Sequence, residues 1–294
     1  MNKTKFVDES NKNAFKTILI MAVMTGIITA FGFMIASATN NPSYITYALI
    51  IAIGQNIISY FFGATIALKT SGAVPADENK YADLHKIVQD LANKNEIKKP
   101  AVYIINDPAP NAFATGRGRN HASVAATTGL LAMLDRGELE GVMAHELTHV
   151  KNRDMLVMTI VVTMSAVLSS LANMAMYSGI GRDRENSNGG LMIVIAMLGN
   201  ILLPIVSLII QSSISRKREF MADAGGAILT DHPEALASAL QKIGGFKQPL
   251  QNATPSTAHL YISCPFGGRG GQTFYQKLFM THPPIEERVR ALIG

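Results

Sequence analysis

A single cysteine, Cys264, is all the sequence offers for sulfur chemistry. An intramolecular disulfide is therefore excluded, and so is a structural zinc site built on two or more thiolates. The lack of disulfides fits a reducing compartment, and any metal must be held mainly by histidines and carboxylates. Charge is also scarce: Asp, Glu, Lys and Arg make up 16% of the 294 residues, against 48% hydrophobic residues. That bias points to membrane spans. The formal net charge is +5, but no Lys/Arg-rich run interleaved with aromatics is present, so nucleic acid is not an expected partner. In a membrane protein, a basic excess of this size marks cytoplasmic loops beside anionic lipid.

Four apolar stretches, approximately 15–37, 43–67, 155–177 and 191–211, reach the ~20 residues that a helix needs to cross a bilayer core. The first two are separated by the uncharged turn Thr39-Asn40-Asn41-Pro42 and form a helical hairpin. The last two are joined by a polar loop from Gly179 to Gly190. Lys3, Lys5, Lys12 and Lys16 precede the first stretch, Lys69 follows the second, and Arg216, Lys217 and Arg218 follow the fourth. The positive-inside rule then puts both termini and the segments 68–154 and 212–294 in the cytoplasm. Ala36-Ser37-Ala38 resembles a cleavage site, but the apolar core before it is longer than the ~7–15 residues of a secretory signal. The first stretch reads as an uncleaved anchor.

Segments 68–154 and 212–294 read as two halves of one domain interrupted by the second hairpin. In the first half, residues 81–93 have helical periodicity, and 101–105 form a strand bounded by Pro100 and Pro108. Two more strands, 111–115 and 122–126, flank a turn at 116–120, and a helix runs from about 136 to 154. In the second half, 215–229 is helical. Asp231 with Glu234 three residues on, and Pro233 between them, signals a new helix start at Asp231. The glycine-rich stretch 267–271 reads as a flexible loop and not as a nucleotide fingerprint, because it does not follow a strand and open a helix.

The chemistry centres on His145-Glu146-Leu147-Thr148-His149. On a helix, residues four apart lie on one face, so both imidazoles reach a single ion. Glu146 is offset by one position, where it can hold and deprotonate a coordinated water whose pKa the metal lowers towards ~7. Coincidence would produce this pattern in about one chain in a hundred of this length. A catalytic zinc keeps three protein ligands and one open position. After His149 come Val150-Lys151-Asn152-Arg153-Asp154, so no third histidine follows, and a glutamate from a later helix is favoured. Glu219 is the candidate, with a solvated charge run at a membrane boundary as the alternative reading of its segment. Asp223 shares its helix face and could accept the free ring N–H of a ligand histidine.

Asp154 lies five residues past His149, about 7–8 Å along a continuous helix, and the third apolar stretch begins there. The metal is therefore expected just outside the bilayer, flanked by Arg136, Glu138, Glu140, Lys151, Arg153 and Asp154. A charge at mid-bilayer would cost about 2.5–3.5 kcal/mol or more. His85, His121, His232 and His259 have no partner at ligand spacing and read as surface or loop histidines.

Four segments together resemble the HtpX-type membrane zinc metallopeptidases, gluzincins related to the CAAX prenyl proteases. They are Asn111-Ala112-Phe113-Ala114-Thr115-Gly116, His145 to Asp154, Ser215 to Asp223, and Thr281-His282-Pro283-Pro284-Ile285-Glu286-Glu287-Arg288. The resemblance implies an α-helical integral membrane protein with four transmembrane helices and a mainly helical zincin-type catalytic domain carrying a small β-sheet. It implies one Zn2+ per chain, with Glu219 as third ligand beside His145 and His149. It implies polypeptide substrates, membrane-protein quality control, and a site facing the cytoplasm at a bacterial cytoplasmic membrane. It makes 111–115 an edge strand beside the zinc, where Asn111, Ala112, Phe113 and Ala114 would bind peptide by strand addition. It also places His282 near the scissile carbonyl as an oxyanion donor; a helix-start residue before Pro283-Pro284 is the alternative. A narrower processing protease for prenylated C-termini is a competing reading. A non-hydrolytic metal transporter would need paired intramembrane carboxylates or histidines, which the apolar stretches lack.

Overall fold

Two long helices open the chain in the computed structural model, which describes residues 3–164, 216–254, 257–266 and 283–294. Helix α1 covers Lys3–Thr39 and α2 covers Ser43–Thr70. They are antiparallel neighbours because Asn40 takes a left-handed conformation (φ 51°) and reverses the chain. Their portions Lys12–Ser37 and Ser43–Thr70 are each long and apolar enough to cross a membrane. Phe15, Ile18, Phe33, Ile50, Phe61 and Phe62 point outwards, a face suited to lipid. Between the helices Asn56 Nδ2 donates to Thr25 Oγ1 at 2.8 Å, the kind of interhelical bond a bilayer favours. Only the first part of the expected third span is described, as helix α6 (Asp154–Met164), and its residues are all buried. The fourth span and the 179–190 loop lie outside the described residues, as does the 267–271 segment.

A four-stranded mixed sheet follows: β1 (Ala73–Pro75), β2 (Ala101–Ile105), β3 (Ala112–Gly118) and β4 (His121–Thr127), in the order β1-β2-β4-β3. β2 and β4 are parallel, with Val102 opposite Val124 and Ile104 opposite Ala126. β3 pairs antiparallel with β4 and forms one edge of the sheet. The short strand β1, with Pro75 in it, was not apparent from the sequence. It forms the other edge, where a missing N–H is tolerated.

Helices α3 (Ala82–Lys94), α4 (Thr128–Met133), α5 (Arg136–Asn152), α7 (Arg216–Thr230), α8 (Pro233–Gly245) and α9 (Ile285–Ile293) complete the domain with a short 3₁₀ turn at Ala258–Leu260. Helix α5 is its centre. Leu139, Val142, Met143, Ala144, Leu147 and Val150 join Leu84, Ile87, Val88 and Leu91 of α3, Val124 of β4 and Leu236 and Leu240 of α8 in one core. A capping box starts α5: the Asp135 carboxylate accepts from Glu138 N and Glu138 accepts from Asp135 N, both at 2.9 Å.

Two sequence expectations are corrected here. The box expected at Asp231 is absent: Asp231 has φ 60° and its N–H closes α7 on Ala227 O at 2.9 Å. It ends one helix and cannot cap the next, which starts at Pro233 with its φ already set. The continuous helix from 136 to 154 is also broken. α5 ends at Asn152, and Arg153 adopts the left-handed conformation (φ 59°) as its cap, with its N–H on the last carbonyls. Asp154 therefore begins a new helix and turns back towards His149.

Candidate metal centre

The middle of α5 is buried without a break from Gly141 to Val150. Two turns of it carry His145, Glu146 and His149, with relative exposures of 1%, 2% and 5%. Helix α7 lies against them because two glycines face α5. A Cβ at Gly225 would fall 2.5 Å from Thr148 Cγ2, and one at Gly226 would fall 3.0 Å from His145 N. That close approach brings Glu219, itself fully buried, to the histidines.

His145 Nε2 and His149 Nε2 are 3.2 Å apart. Glu219 Oε1 lies 3.5 Å from His149 Nε2 and Oε2 lies 3.9 Å from His145 Nε2. The other ring nitrogens face carboxylates: His145 Nδ1 is 2.9 Å from Asp223 Oδ1, and His149 Nδ1 is 3.1 Å from Asp154 Oδ2. A carboxylate accepts, so each Nδ1 carries the proton and donates, and both Nε2 lone pairs turn towards the same point. Two ring nitrogens 3.2 Å apart beside a carboxylate need a positive charge between them, which a proton on His149 Nε2 or a metal ion in its place can supply. One nitrogen or oxygen atom from each of His145, His149 and Glu219 lies within 4.8 Å of the others. Two imidazoles and a carboxylate form a donor set that suits zinc. The residues therefore fit the metal.

The electrostatics follow from burial and partners. Burial pushes His145 down to about 4, with the Arg288 and His149 charges adding to it against the pull of Asp223. Burial also opposes charge on His149, but the Asp154 bond and the charges of Glu219, Asp154 and Glu146 outweigh it and raise that ring to about 9. Desolvation raises Glu146 to about 7, despite the nearby His149 and a bond from Ala114 N–H. A carboxylate poised near neutral pH is suited to taking and returning a proton. Asp223 is also desolvated, but Arg288 overrides that and holds it at about 2.

Arg288 and Asp154 are parts of the site that sequence reasoning missed. Arg288, on α9, is fully buried. It grips Asp223 with two bonds, Nε to Oδ2 at 2.8 Å and Nη2 to Oδ1 at 2.7 Å, and its Nη1 donates to Ile262 O at 2.9 Å. Its Nη2 is also 3.4 Å from His145 Nδ1; both atoms bear protons, so the shorter Asp223 contact sets the ring. Arg288 and Asp154 both stand within motifs that carry the family resemblance, but the sequence alone gives neither a role at the metal. His259 is corrected too: it is buried, with Nε2 3.3 Å from Met158 O. His282 lies outside the described residues.

The sheet edge meets the site at one residue. The Ala114 N–H reaches Glu146, while Asn111, Ala112 and Gly116 are engaged by the chain itself. Ile262 N donates to Ala112 O at 3.0 Å, and Asn111 Nδ2 donates to Ser263 O at 3.1 Å. Phe113 packs edge-on against Tyr261. Beyond Ala114, Gly116 N donates to Thr159 Oγ1 of α6 at 3.3 Å.

The model of peptidase family M48 matches residues 78–294, which take in every one of these groups. The chain belongs to peptidase family M48. Proteins named Protease HtpX homolog are similar to this M48 chain over nearly its whole length. One from Caldanaerobacter subterraneus subsp. tengcongensis is 42% identical over 99% of this chain and 98% of its own. One from Burkholderia multivorans is 44% identical over 96% of each. The crystal structure of S. mikatae Ste24p aligns with 98% of this chain and 67% of its own at 16% identity and a TM-score of 0.49, too loose a likeness to decide anything further. The M48 family is one of metalloproteases, and in this member the buried His-His-Glu cluster is where a metal fits.

Proposed function

We propose that the protein is a membrane-bound, zinc-dependent endopeptidase that hydrolyses cytoplasmic segments of membrane or misfolded proteins. The observation that carries this reading is the pair of Nε2 atoms 3.2 Å apart, each aimed by a carboxylate behind it, with Glu219 completing the set. His145, His149 and Glu219 would hold one Zn2+ per chain. An ion held there would supply Lewis-acid polarisation of the scissile carbonyl and a water nucleophile at neutral pH.

The remaining work falls to this chain's own groups. Glu146, beside the ligands, would take the proton of the attacking water on one oxygen and return it to the departing amine. Asp223 and Asp154 keep the two imidazoles in the tautomer that presents Nε2. The substrate lies along β3 at Ala114, beside Glu146. The part of the edge held by residues 262 and 263 bounds the groove at Asn111 and Ala112, with Phe113 behind it. Pairing confined to so short a length of backbone carries little sequence preference, which suits an enzyme that removes damaged proteins. His282, as donor to the oxyanion, belongs to the same proposal. So do the four-span topology, the division into 1–67, 68–154, 155–211 and 212–294, and a catalytic domain facing the cytoplasm at a bacterial inner membrane.

The test is cleavage of an unfolded protein by the purified chain in detergent, with and without a chelator, beside Glu146→Gln. Wild type should cleave only with metal present. Glu146→Gln should keep its zinc and lose cleavage by at least about 100-fold, the low end for removing a general base. Undiminished cleavage by Glu146→Gln would refute the assignment of the base.

A further inference from the structure

The first membrane helix reaches the metal centre directly. Asn13 of α1 is 2% exposed, and its side-chain amide has only two N–H groups to give. Both are spent at the junction of α5 and α6. One goes to Asn152 O at 2.9 Å, at the end of α5, where helical carbonyls have no partner of their own. The other goes to Asp154 Oδ1 at 2.7 Å. The second oxygen of the same carboxylate accepts from His149 Nδ1. Arg218 Nη1 also reaches Oδ1, but at 3.3 Å. Of the two, the Asn13 amide makes the shorter bond. It spans 141 residues of sequence, from a membrane helix to the carboxylate that aims a ligand.

We infer that Asn13 is a positioning residue of the metal centre: by fixing the rotation of the Asp154 carboxylate it fixes the His149 ring, so the anchor helix is part of the metal's outer support. Asp154 follows a left-handed Arg153 at a break between two helices, where no regular backbone ladder restrains it. A carboxylate held only by the ring it is meant to orient cannot impose an orientation on that ring. It needs a fixed second partner, and Asn13, inserted from α1, is one. A bond to Asn152 alone would serve merely to dock α1; the second bond reaches past docking to the ligand.

This inference rests on the zinc reading, and the experiment separates the two. Zinc release into excess chelator is followed for the full-length protein in detergent micelles. Wild type, Asn13→Ala, Asp154→Ala and the double variant are compared, with Thr17→Val as control. Thr17 is buried one turn along α1, and its hydroxyl donates only within that helix, to Asn13 O. Asn13→Ala should release zinc about tenfold faster, the low end for loss of an outer-shell partner. Thr17→Val should match wild type. In the Asp154→Ala background, the Asn13 change should add nothing. If Asp154→Ala fails to fold, Asp154→Ser provides the background. Wild-type release from Asn13→Ala, or an equal acceleration with and without Asp154, would overturn the inference while leaving the metal assignment intact. A wild-type protein that binds no zinc would overturn both.

Discussion

The two histidines of the site sit one helical turn apart but are braced from opposite parts of the molecule. His145 is held from within the catalytic domain: Asp223 of α7 orients it, and a fully buried Arg288 of α9 clamps Asp223. His149 is held from the membrane side: Asp154, at the start of α6, orients it, and Asn13 of α1 steadies Asp154. The domain-side brace is an ion pair sealed in the core. The membrane-side brace is a neutral amide on a carboxylate at a helix junction, with the Arg218 guanidinium 3.3 Å from the same oxygen. One ligand is thus tied to the packing of the domain core, and the other to the seating of the first membrane helix. Zinc hydrolases and zinc carriers alike need ligands held in place, and here that task is shared between the domain and its anchor.

The largest effect should come from breaking the domain side. Arg288→Met leaves the Asp223 carboxylate buried without its bidentate partner, which costs about 3–5 kcal/mol. The midpoint of thermal or denaturant unfolding of the zinc-free protein reads it directly. On the membrane side, Asn13→Ala strips one bond from a carboxylate that keeps others, and should cost about 1–3 kcal/mol by the same measurement. Equal losses would erase the distinction between the two braces.

Changing the orienting carboxylates compares the two sides at the metal itself. Asp223→Asn and Asp154→Asn should each weaken zinc binding by about 10–100-fold, as measured by competition with a chelator. Only Asp223→Asn should also lower the stability of the zinc-free protein to a degree approaching Arg288→Met, because it leaves a buried guanidinium facing a neutral amide. A matching loss in Asp154→Asn would show that the membrane side is just as tightly built.

The smallest effect is expected at the other end of α5, far from the metal. Glu138 is desolvated, but bonds from Lys242, Ser238 and Asp135 N–H, with the Lys242 charge, hold it below its ordinary value of 4.5. A depressed folded value means that its contribution is present above about pH 4.5 and is lost as pH falls through the lower folded value. The unfolding midpoint of wild type should therefore fall more steeply on acidification than that of Glu138→Gln. Parallel curves would mean that the cap and the Lys242 pair contribute nothing.

What the sequence disclosed and what it hid divide along the same physical line. Local signals were legible. The HExxH spacing fixes two side chains on one helix face whatever surrounds them, and the strand at Ala101–Ile105 is framed by Pro100 and Pro108. The long apolar runs of α1 and α2 declare themselves. Features that depend on a distant partner were not legible. A buried Arg288 makes sense only beside Asp223, 65 residues earlier, and in isolation α9 reads as a charged helix. Nothing in Val150 to Asp154 forbids a continuous helix, yet Arg153 turns left-handed and Asp154 comes back to His149. Strand β1 is too short to show alternation, and Asn13 looks like one more polar residue before a span.

The most direct test of the account is zinc K-edge X-ray absorption on the purified full-length protein, with metal content measured on the same sample. It should find one zinc per chain with two imidazole nitrogens at ~2.0–2.1 Å and carboxylate oxygen at ~2.0–2.2 Å, and Glu219→Ala should lose most of that metal. A protein without stoichiometric zinc, or a zinc shell with sulfur from Cys264 or fewer than two imidazoles, would contradict it.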